Sequence, residues 1–154
     1  MRGMERQQVM IVDDSEVVRK ILSTILTRVG IAPVSCSDGY EVLRALKTQS
    51  ALLPSVMVLD LRMPTIDGYT LARLLRSDPR FDKIPIVFFT GYDSLWNRLR
   101  ARLFKKTRYL LKPFTAQDIL GTVSEYMHIP LETTQEVTGH TPHPRGEYFG
   151  AIVT

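Results

Sequence analysis

The chain has 154 residues, enough for one domain with a short appendage and for a core that needs neither disulfide nor metal to stabilise it. It is 44% hydrophobic and 23% charged with a net charge of +4, and no run of about 18 apolar residues or apolar N-terminal segment predicts a membrane span or a signal peptide. Its single cysteine, Cys36, excludes an internal disulfide and favours a reducing, cytoplasmic location.

Short apolar runs alternate with helical periodicity over the first 127 residues. In chain order, the predicted elements are a strand at Val9–Val12, a helix at 15–29, a strand at Ala32–Cys36, a helix at 41–49, a strand at Ser55–Leu59, a helix at 69–76, a strand at Ile86–Phe89, a helix around Leu95–Leu103, a strand at Tyr109–Leu111 and a helix at 115–127. This alternation predicts an α/β fold, a parallel sheet covered by helices on both faces.

Residues with turn and capping preferences separate these elements. Ser15 or Asp14 can cap the first helix, and Gly30 ends it. A turn is predicted at Asp38–Gly39. The segment Leu61–Asp67 contains a proline and precedes a glycine, so it is predicted to be a loop.

Beyond residue 127 the composition changes to one rich in Thr, Gly, Pro and His. We therefore divide the chain into an N-terminal extension at 1–7, a domain at 8–127, and a tail or linker stub at 128–154. The tail allows two interpretations: a complete single-domain protein, or the N-terminal part of a longer protein with a further domain.

A basic stretch lies between Ser94 and Gln117, where no acid occurs. Its members are Arg98, Arg100, Arg102, Lys105, Lys106, Arg108 and Lys112. It could contact an acidic partner or a nucleic acid, or it could be a solvated helix face. No helix-turn-helix pattern follows residue 127, so direct nucleic-acid binding is not expected.

Polar residues occur where the predicted strands end. Asp13 and Asp14 follow the first strand, Asp60 the third, Thr90 the fourth and Lys112 the fifth. The carboxyl ends of parallel strands meet at one edge, where open α/β sheets bind ligands. We therefore expect three carboxylates, a hydroxyl and an ammonium group to converge on one crevice.

Clustered carboxylates repel one another and raise one another's pKa. Mg²⁺ resolves that conflict, because it prefers oxygen ligands and is held by one or two carboxylates plus a phosphate. Asp60 could then attack phosphorus to form an aspartyl phosphate. Lys112 could neutralise the phosphoryl oxygens, and Thr90 could donate a hydrogen bond to them.

The segments VMIVDDS, MVLDLRMPTIDG, IVFFTG and YLLKPF occur in this order, each at a strand end, and resemble the receiver domain of two-component response regulators over about residues 8–127. The resemblance implies a doubly wound, flavodoxin-like sheet of five parallel strands in the order 2-1-3-4-5. It also implies that Asp60 is the phospho-acceptor, and that Asp13, Asp14, Asp60 and the backbone carbonyl of Arg62 hold Mg²⁺, for which Mn²⁺ can substitute.

The resemblance implies further roles for residues near the end of the domain. Lys112 is the phosphate-binding lysine, joined to Pro113 by a cis peptide bond. Thr90 is the switch hydroxyl, and Tyr109 is the aromatic residue that changes rotamer with it. The phosphodonor is a histidine kinase or phosphotransfer protein, and small acyl phosphates can substitute for it.

The output implied by the resemblance is a change of shape. Phosphorylation alters the surface formed by the fourth predicted helix, the fifth strand and the last helix, which a downstream protein or a second copy contacts. The chain would thus be a signalling protein that takes part in its own phosphorylation and dephosphorylation rather than a conventional enzyme. Arg62 and Tyr92 occupy the positions that tune dephosphorylation, and both are large enough to screen the attacking water.

Some residues depart from the common receiver pattern. Many relatives have Gly-Ala before the fifth strand, where this chain has residues 105–108 without glycine. The loop there is expected to avoid backbone conformations that favour glycine.

Two other function classes fit parts of the pattern. A dehalogenase-type phosphatase also forms an aspartyl phosphate, but it needs a second acid two residues after the first, where this chain has Arg62. A flavodoxin-type flavin carrier needs a Ser/Thr/Gly-rich phosphate loop after the first strand, and the acids Asp13 and Asp14 would repel phosphate there.

Overall fold

This computed structural model describes residues 7–48, 53–91 and 104–127, which contain five strands and four helices. The strands are β1 (Gln8–Val12), β2 (Ala32–Cys36), β3 (Val56–Asp60), β4 (Ile86–Thr90) and β5 (Thr107–Leu111). The helices are α1 (Glu16–Arg28), α2 (Gly39–Lys47), α3 (Gly68–Arg76) and α4 (Ala116–Met127), the last of which is the fifth predicted helix. None of them is long and apolar enough to cross a membrane. The helix predicted around Leu95–Leu103, residues 1–6 and the tail at 128–154 lie outside the described residues.

All strand pairs are parallel, and the sheet order is β2-β1-β3-β4-β5, which confirms the predicted fold class and order. The register aligns the carboxyl ends of the strands along one edge. Asp60 lies opposite Phe89, and Thr90 lies opposite Leu111. The polar residues that follow the strands are therefore brought to that edge together.

The sheet is buried on both faces. Because successive strand residues point to opposite sides, neighbours such as Phe88 and Phe89 enter different hydrophobic clusters. Phe88 packs with residues of α2 and α3, including Leu71, whereas Phe89 packs with residues of α1 and α4, including Leu22. Burial on both sides explains why β1, β3 and β4 are continuous apolar runs in the sequence.

Aspartate and serine side chains determine where the helices begin. Ser15 caps α1 by accepting a hydrogen bond from the Val18 amide at 3.4 Å, and Gly30, with φ of 78°, follows its end. The prediction of a turn at Asp38–Gly39 was wrong. Asp38 caps α2 instead by accepting from the Glu41 amide at 2.8 Å, so the helix already begins at Gly39.

The loop before β5 contains a left-handed residue. Lys106 has φ of 54°, so the expectation that this loop avoids such conformations was wrong. Two hydrogen bonds hold the turn in place: the Lys106 carbonyl accepts from the Ile86 amide at 3.0 Å, and the Lys105 carbonyl accepts from Arg76 Nη2 at 3.1 Å. Anchoring to β4 and α3 offsets the preference of this position for glycine.

Candidate functional site

Three carboxylates meet at the carboxyl edge of the sheet. Asp13 and Asp14 directly follow β1, and Asp60 is the last residue of the neighbouring strand β3. Each offers an oxygen within 4.8 Å of the other two. Asp13 and Asp60 are only 2% and 6% exposed, while Asp14 is exposed, so the cluster opens to solvent on the Asp14 side.

Hydrogen bonds to both of its carboxylate oxygens hold Asp13 in place. The Ser15 amide donates to Oδ1 at 2.8 Å, and Lys112 Nζ donates to Oδ2 at 2.8 Å. Its backbone carbonyl accepts from Arg19 Nη1 at 2.6 Å. The first turn of α1 and the end of β5 therefore both fix this carboxylate.

Among the described residues, Lys112 is the only one with a cationic side chain close to the Asp60 carboxylate. Its Nζ lies 3.6 Å from Asp60 Oδ1 and 4.8 Å from the centre of the Phe89 ring. The Lys112 amide donates to the Thr90 carbonyl at 2.8 Å, which extends the β4–β5 pairing up to the site. The Lys112–Pro113 peptide bond is cis, as the resemblance implies.

The environment of Asp60 raises the pKa of its carboxyl group above the usual range. Burial is the main cause, and the charges of Asp13 and Asp14 raise the pKa further. The Lys112 ammonium and a hydrogen bond from the Arg62 amide act in the opposite direction without cancelling the rise. The folded chain thus holds mutually repelling acids that a cation would relieve.

The donor set fits Mg²⁺. All three side chains offer oxygen atoms, which this ion prefers, and the side open to solvent leaves room for the waters that it keeps. Asp13, Asp14 and Asp60 are the residues that would hold it. The Arg62 carbonyl stays a predicted further ligand.

Thr90 and Tyr109 lie on the same face of the sheet. Thr90 is the last residue of β4 and is 2% exposed. Phe88, two residues earlier and therefore on the same side, pairs in register with Tyr109, and the two rings are 5.4 Å apart. The half-buried Tyr109 is hydrogen-bonded through its hydroxyl group to the hydroxyl group of Tyr69.

The structure describes only one of the two residues predicted to tune dephosphorylation. Tyr92 lies outside the described residues. Arg62 is exposed, and its Nη2 atom lies 3.9 Å from the position that a Cβ atom on Gly91 would take. The guanidinium group therefore reaches across from the β3 side to the end of β4.

The sequence predicts a loop at Leu61–Asp67 but gives no specific role to Gly68, the residue that follows it. Asp67 in fact caps α3, accepting from the Thr70 amide at 2.8 Å, and Gly68 is the first helical residue. A Cβ atom on Gly68 would lie 2.4 Å from the Asp60 carbonyl oxygen. The glycine is visible in the sequence, but the need for it comes from the carbonyl group of Asp60, eight positions earlier.

Comparison with known families agrees with this architecture. The family model for the response regulator receiver domain matches residues 9–124, well over half of the chain. Protein PilG of Pseudomonas aeruginosa is 29% identical over 123 residues, which cover 80% of this chain and 87% of PilG. The probable transcriptional regulator ycf27 of Guillardia theta is 32% identical over 114 residues, which cover 74% of this chain but 42% of that protein.

Solved structures give the same result for the fold. The chemotaxis response regulator CheY4 of Vibrio cholerae matches with a TM-score of 0.70 and 25% identity, over 77% of this chain and 97% of that one. A putative response regulator of Chloroflexus aurantiacus matches with a TM-score of 0.73 and 26% identity, over 81% and 100%. Together with the acids and the lysine at the sheet edge, these matches show that the chain belongs to the response regulator receiver domain family.

Proposed function

We propose that the chain is a cytoplasmic, phosphorylation-dependent signalling module in which Asp60 accepts a phosphoryl group from a phosphohistidine on a kinase or phosphotransfer protein. One observation carries this proposal: three carboxylates lie within 4.8 Å of one another, and the Lys112 ammonium group lies 3.6 Å from the Asp60 carboxylate. The chain acts as a signalling protein rather than as a conventional enzyme, although its own residues take part in the transfer.

In the proposed reaction, an Asp60 carboxylate oxygen attacks phosphorus. The bond between phosphorus and the donor's histidine nitrogen breaks, and its electron pair stays on that nitrogen. When bound, Mg²⁺ neutralises part of the charge on the phosphoryl oxygens. Lys112 neutralises another part as a point charge, and the Thr90 hydroxyl donates a hydrogen bond to a phosphoryl oxygen.

The proposed output is a switch in which Thr90 moves towards the phosphoryl group and Tyr109 turns into the vacated space. The shared face of these two residues, with Phe88 between them along the sheet, supports this coupling. The surface that changes is formed by the predicted helix around Leu95–Leu103, β5 and α4. A downstream protein or a second copy binds it, and the signal depends on that partner's preference for one state.

Incubation of the full chain with acetyl phosphate and Mg²⁺, followed by intact-mass measurement, tests the proposed function. We expect the gain of one phosphoryl group with Mg²⁺ and none when EDTA removes divalent cations, because the acids then repel the incoming anion. Absence of any gain in Mg²⁺ would contradict the proposal.

Arg62 is proposed to slow the loss of the phosphoryl group. Its guanidinium group reaches the end of β4, where Nη2 lies 3.9 Å from the position of a Cβ atom on Gly91, and there it could screen the attacking water. After removal of the donor, the wild-type phosphoryl group is expected to persist for minutes or longer. Arg62→Ala is expected to accelerate its loss several-fold in a mass-based time course, and equal decay of the two proteins would show that Arg62 has no such role.

An apolar stripe on α1, formed by Val17, Ile21 and Ile25, is proposed as the docking surface for the phosphodonor. Val17 is 54% exposed only three residues after Asp14, so the stripe adjoins the open side of the acidic cluster. It lines a groove of about 350 Å³ formed by Val17, Lys20, Ile21, Thr24, Ile25 and Arg28. The apolar centre and the two cations suit a helix that presents apolar and acidic side chains.

Ile21→Glu is expected to slow phosphotransfer from a phosphorylated kinase about tenfold or more, because it places a charge in the apolar centre of the contact. The rate with acetyl phosphate should not change, since that donor needs no docking surface. Leu74→Glu is the matched control, because Leu74 is an exposed leucine on α3. Equal slowing by both variants, or slowing with acetyl phosphate as well, would argue against α1 as the docking surface.

A further inference from the structure

Four aromatic rings form a cluster on the face of the sheet that carries Thr90 and Tyr109. Phe88 lies at its centre, with ring centroids 5.2 Å from Tyr69, 5.9 Å from Phe104 and 5.4 Å from Tyr109. Tyr69 also stacks on Phe104 at 6.4 Å. The hydroxyl groups of Tyr69 and Tyr109 are joined by a hydrogen bond.

The backbone of Tyr69 is fixed to the segment that carries Asp60. The amide of the preceding residue, Gly68, donates to the Leu61 carbonyl at 3.1 Å. Gly68 also approaches the Asp60 carbonyl so closely that a Cβ atom would lie 2.4 Å from it. The segment that carries Asp60 therefore fixes the backbone position of Tyr69. The hydroxyl group of Tyr69 in turn contacts Tyr109, the proposed switch tyrosine.

The ring of Tyr109 packs beside Phe88, with the two ring centroids 5.4 Å apart, and its hydroxyl group is hydrogen-bonded to that of Tyr69. In the sheet register Tyr109 pairs with Phe88, whereas Thr90 lies two residues further along β4 and is buried there. A tyrosine hydroxyl is far from Cα, so rotation of the ring towards Thr90 would carry the hydroxyl group away from Tyr69. The hydrogen bond can form in the conformer described here and is lost on rotation.

We propose that Tyr69 is a positioning residue that holds Tyr109 in this conformer, so that the hydroxyl–hydroxyl hydrogen bond opposes the switch. The inference rests on the proposed function, because it assigns the residue that sets the resting balance of that switch. An interaction present in only one of two conformers shifts their equilibrium by its own free energy. Removal of either hydroxyl group therefore favours the rotated conformer and everything that binds to it more tightly.

Titration of the full chain with beryllofluoride in the presence of Mg²⁺, followed by calorimetry, tests this inference. Beryllofluoride is the probe because it mimics a phosphoryl group on a carboxylate without a reaction. Tyr69→Phe is expected to lower the half-saturating concentration about 2- to 10-fold, the effect of one hydrogen bond. The exposed Tyr40 provides the control, because Tyr40→Phe also removes a hydroxyl group and should bind as the wild type does.

A double-mutant cycle distinguishes a shared hydrogen bond from two separate effects. Tyr109→Phe should also tighten binding, and the combined Tyr69→Phe and Tyr109→Phe variant should bind no more tightly than the stronger single variant. Unchanged binding by Tyr69→Phe, or full additivity in the double variant, would overturn the inference while leaving the proposed function intact. Failure of the wild type to bind beryllofluoride would overturn both.

Discussion

Asp60→Asn is expected to take up no phosphoryl group from acetyl phosphate and Mg²⁺, conditions under which the wild-type chain is expected to take up one. The amide has no anionic oxygen to attack phosphorus, and the other carboxylate close to Lys112, Asp13, is held by hydrogen bonds on both of its oxygens. Intact-mass measurement checks this result. A phosphoryl gain equal to that of the wild type would place the acceptor elsewhere.

The same variant is expected to have a higher free energy of unfolding than the wild type at pH 7 in EDTA. The pKa of Asp60 is raised in the folded state, so the folded chain binds more protons than the unfolded chain in the window above the usual aspartate pKa. Stability therefore falls as pH rises through that window, and the full cost is present above it. Asparagine carries no charge and does not incur this cost.

Asp67→Asn is the matched control for both measurements. Asp67 ends the loop that follows Asp60, is exposed, and caps α3 through its side chain, a role that asparagine fills equally well. It should take up the phosphoryl group as the wild type does, and its unfolding in EDTA should be nearly unchanged. Mg²⁺ should stabilise Asp67→Asn and the wild type but have little effect on Asp60→Asn, which lacks one ligand.

Gly68→Ala is expected to lower the free energy of unfolding by roughly 2–3 kcal/mol, as overpacking in a dense interior does. The added Cβ would lie 2.4 Å from the Asp60 carbonyl oxygen and 3.0 Å from Leu61 Cα. Both are backbone atoms, so no side-chain rotation relieves the clash and α3 must move away from β3. Because Asp60 lies at that contact, the rate of phosphorylation should fall as well.

Gly121→Ala is the matched control, because it makes the same change within helix α4. A Cβ atom on Gly121 would meet nothing within 4 Å. Alanine is the better helix former, so this variant should gain about 0.5–1 kcal/mol in stability. Chemical denaturation measures the free energy of unfolding of both variants. If the two substitutions changed it in the same direction, the close approach at Gly68 would not limit the packing.

Local patterns were enough to predict the strands and their polar ends. Strands buried on both faces must be apolar at every position, so β3 and β4 stand out as continuous runs that stop at Asp60 and Thr90. The strand order came from the resemblance of four segments to receiver domains rather than from the apolar pattern, which fits several orders. The convergence of Asp13, Asp60 and Lys112 then followed from the geometry of a parallel sheet.

Other features depend on contacts between residues that are distant in the chain, and no local pattern contains them. The left-handed Lys106 is tolerated because its carbonyl group meets the Ile86 amide, twenty positions earlier. The need for glycine at position 68 comes from the Asp60 carbonyl, and Tyr69, a partner of the Tyr109 hydroxyl group, is on another element, α3. Periodicity and residue type specify the elements and the chemistry that their ends carry, whereas close backbone approach and hydrogen bonds between elements arise only when the helices pack onto the sheet.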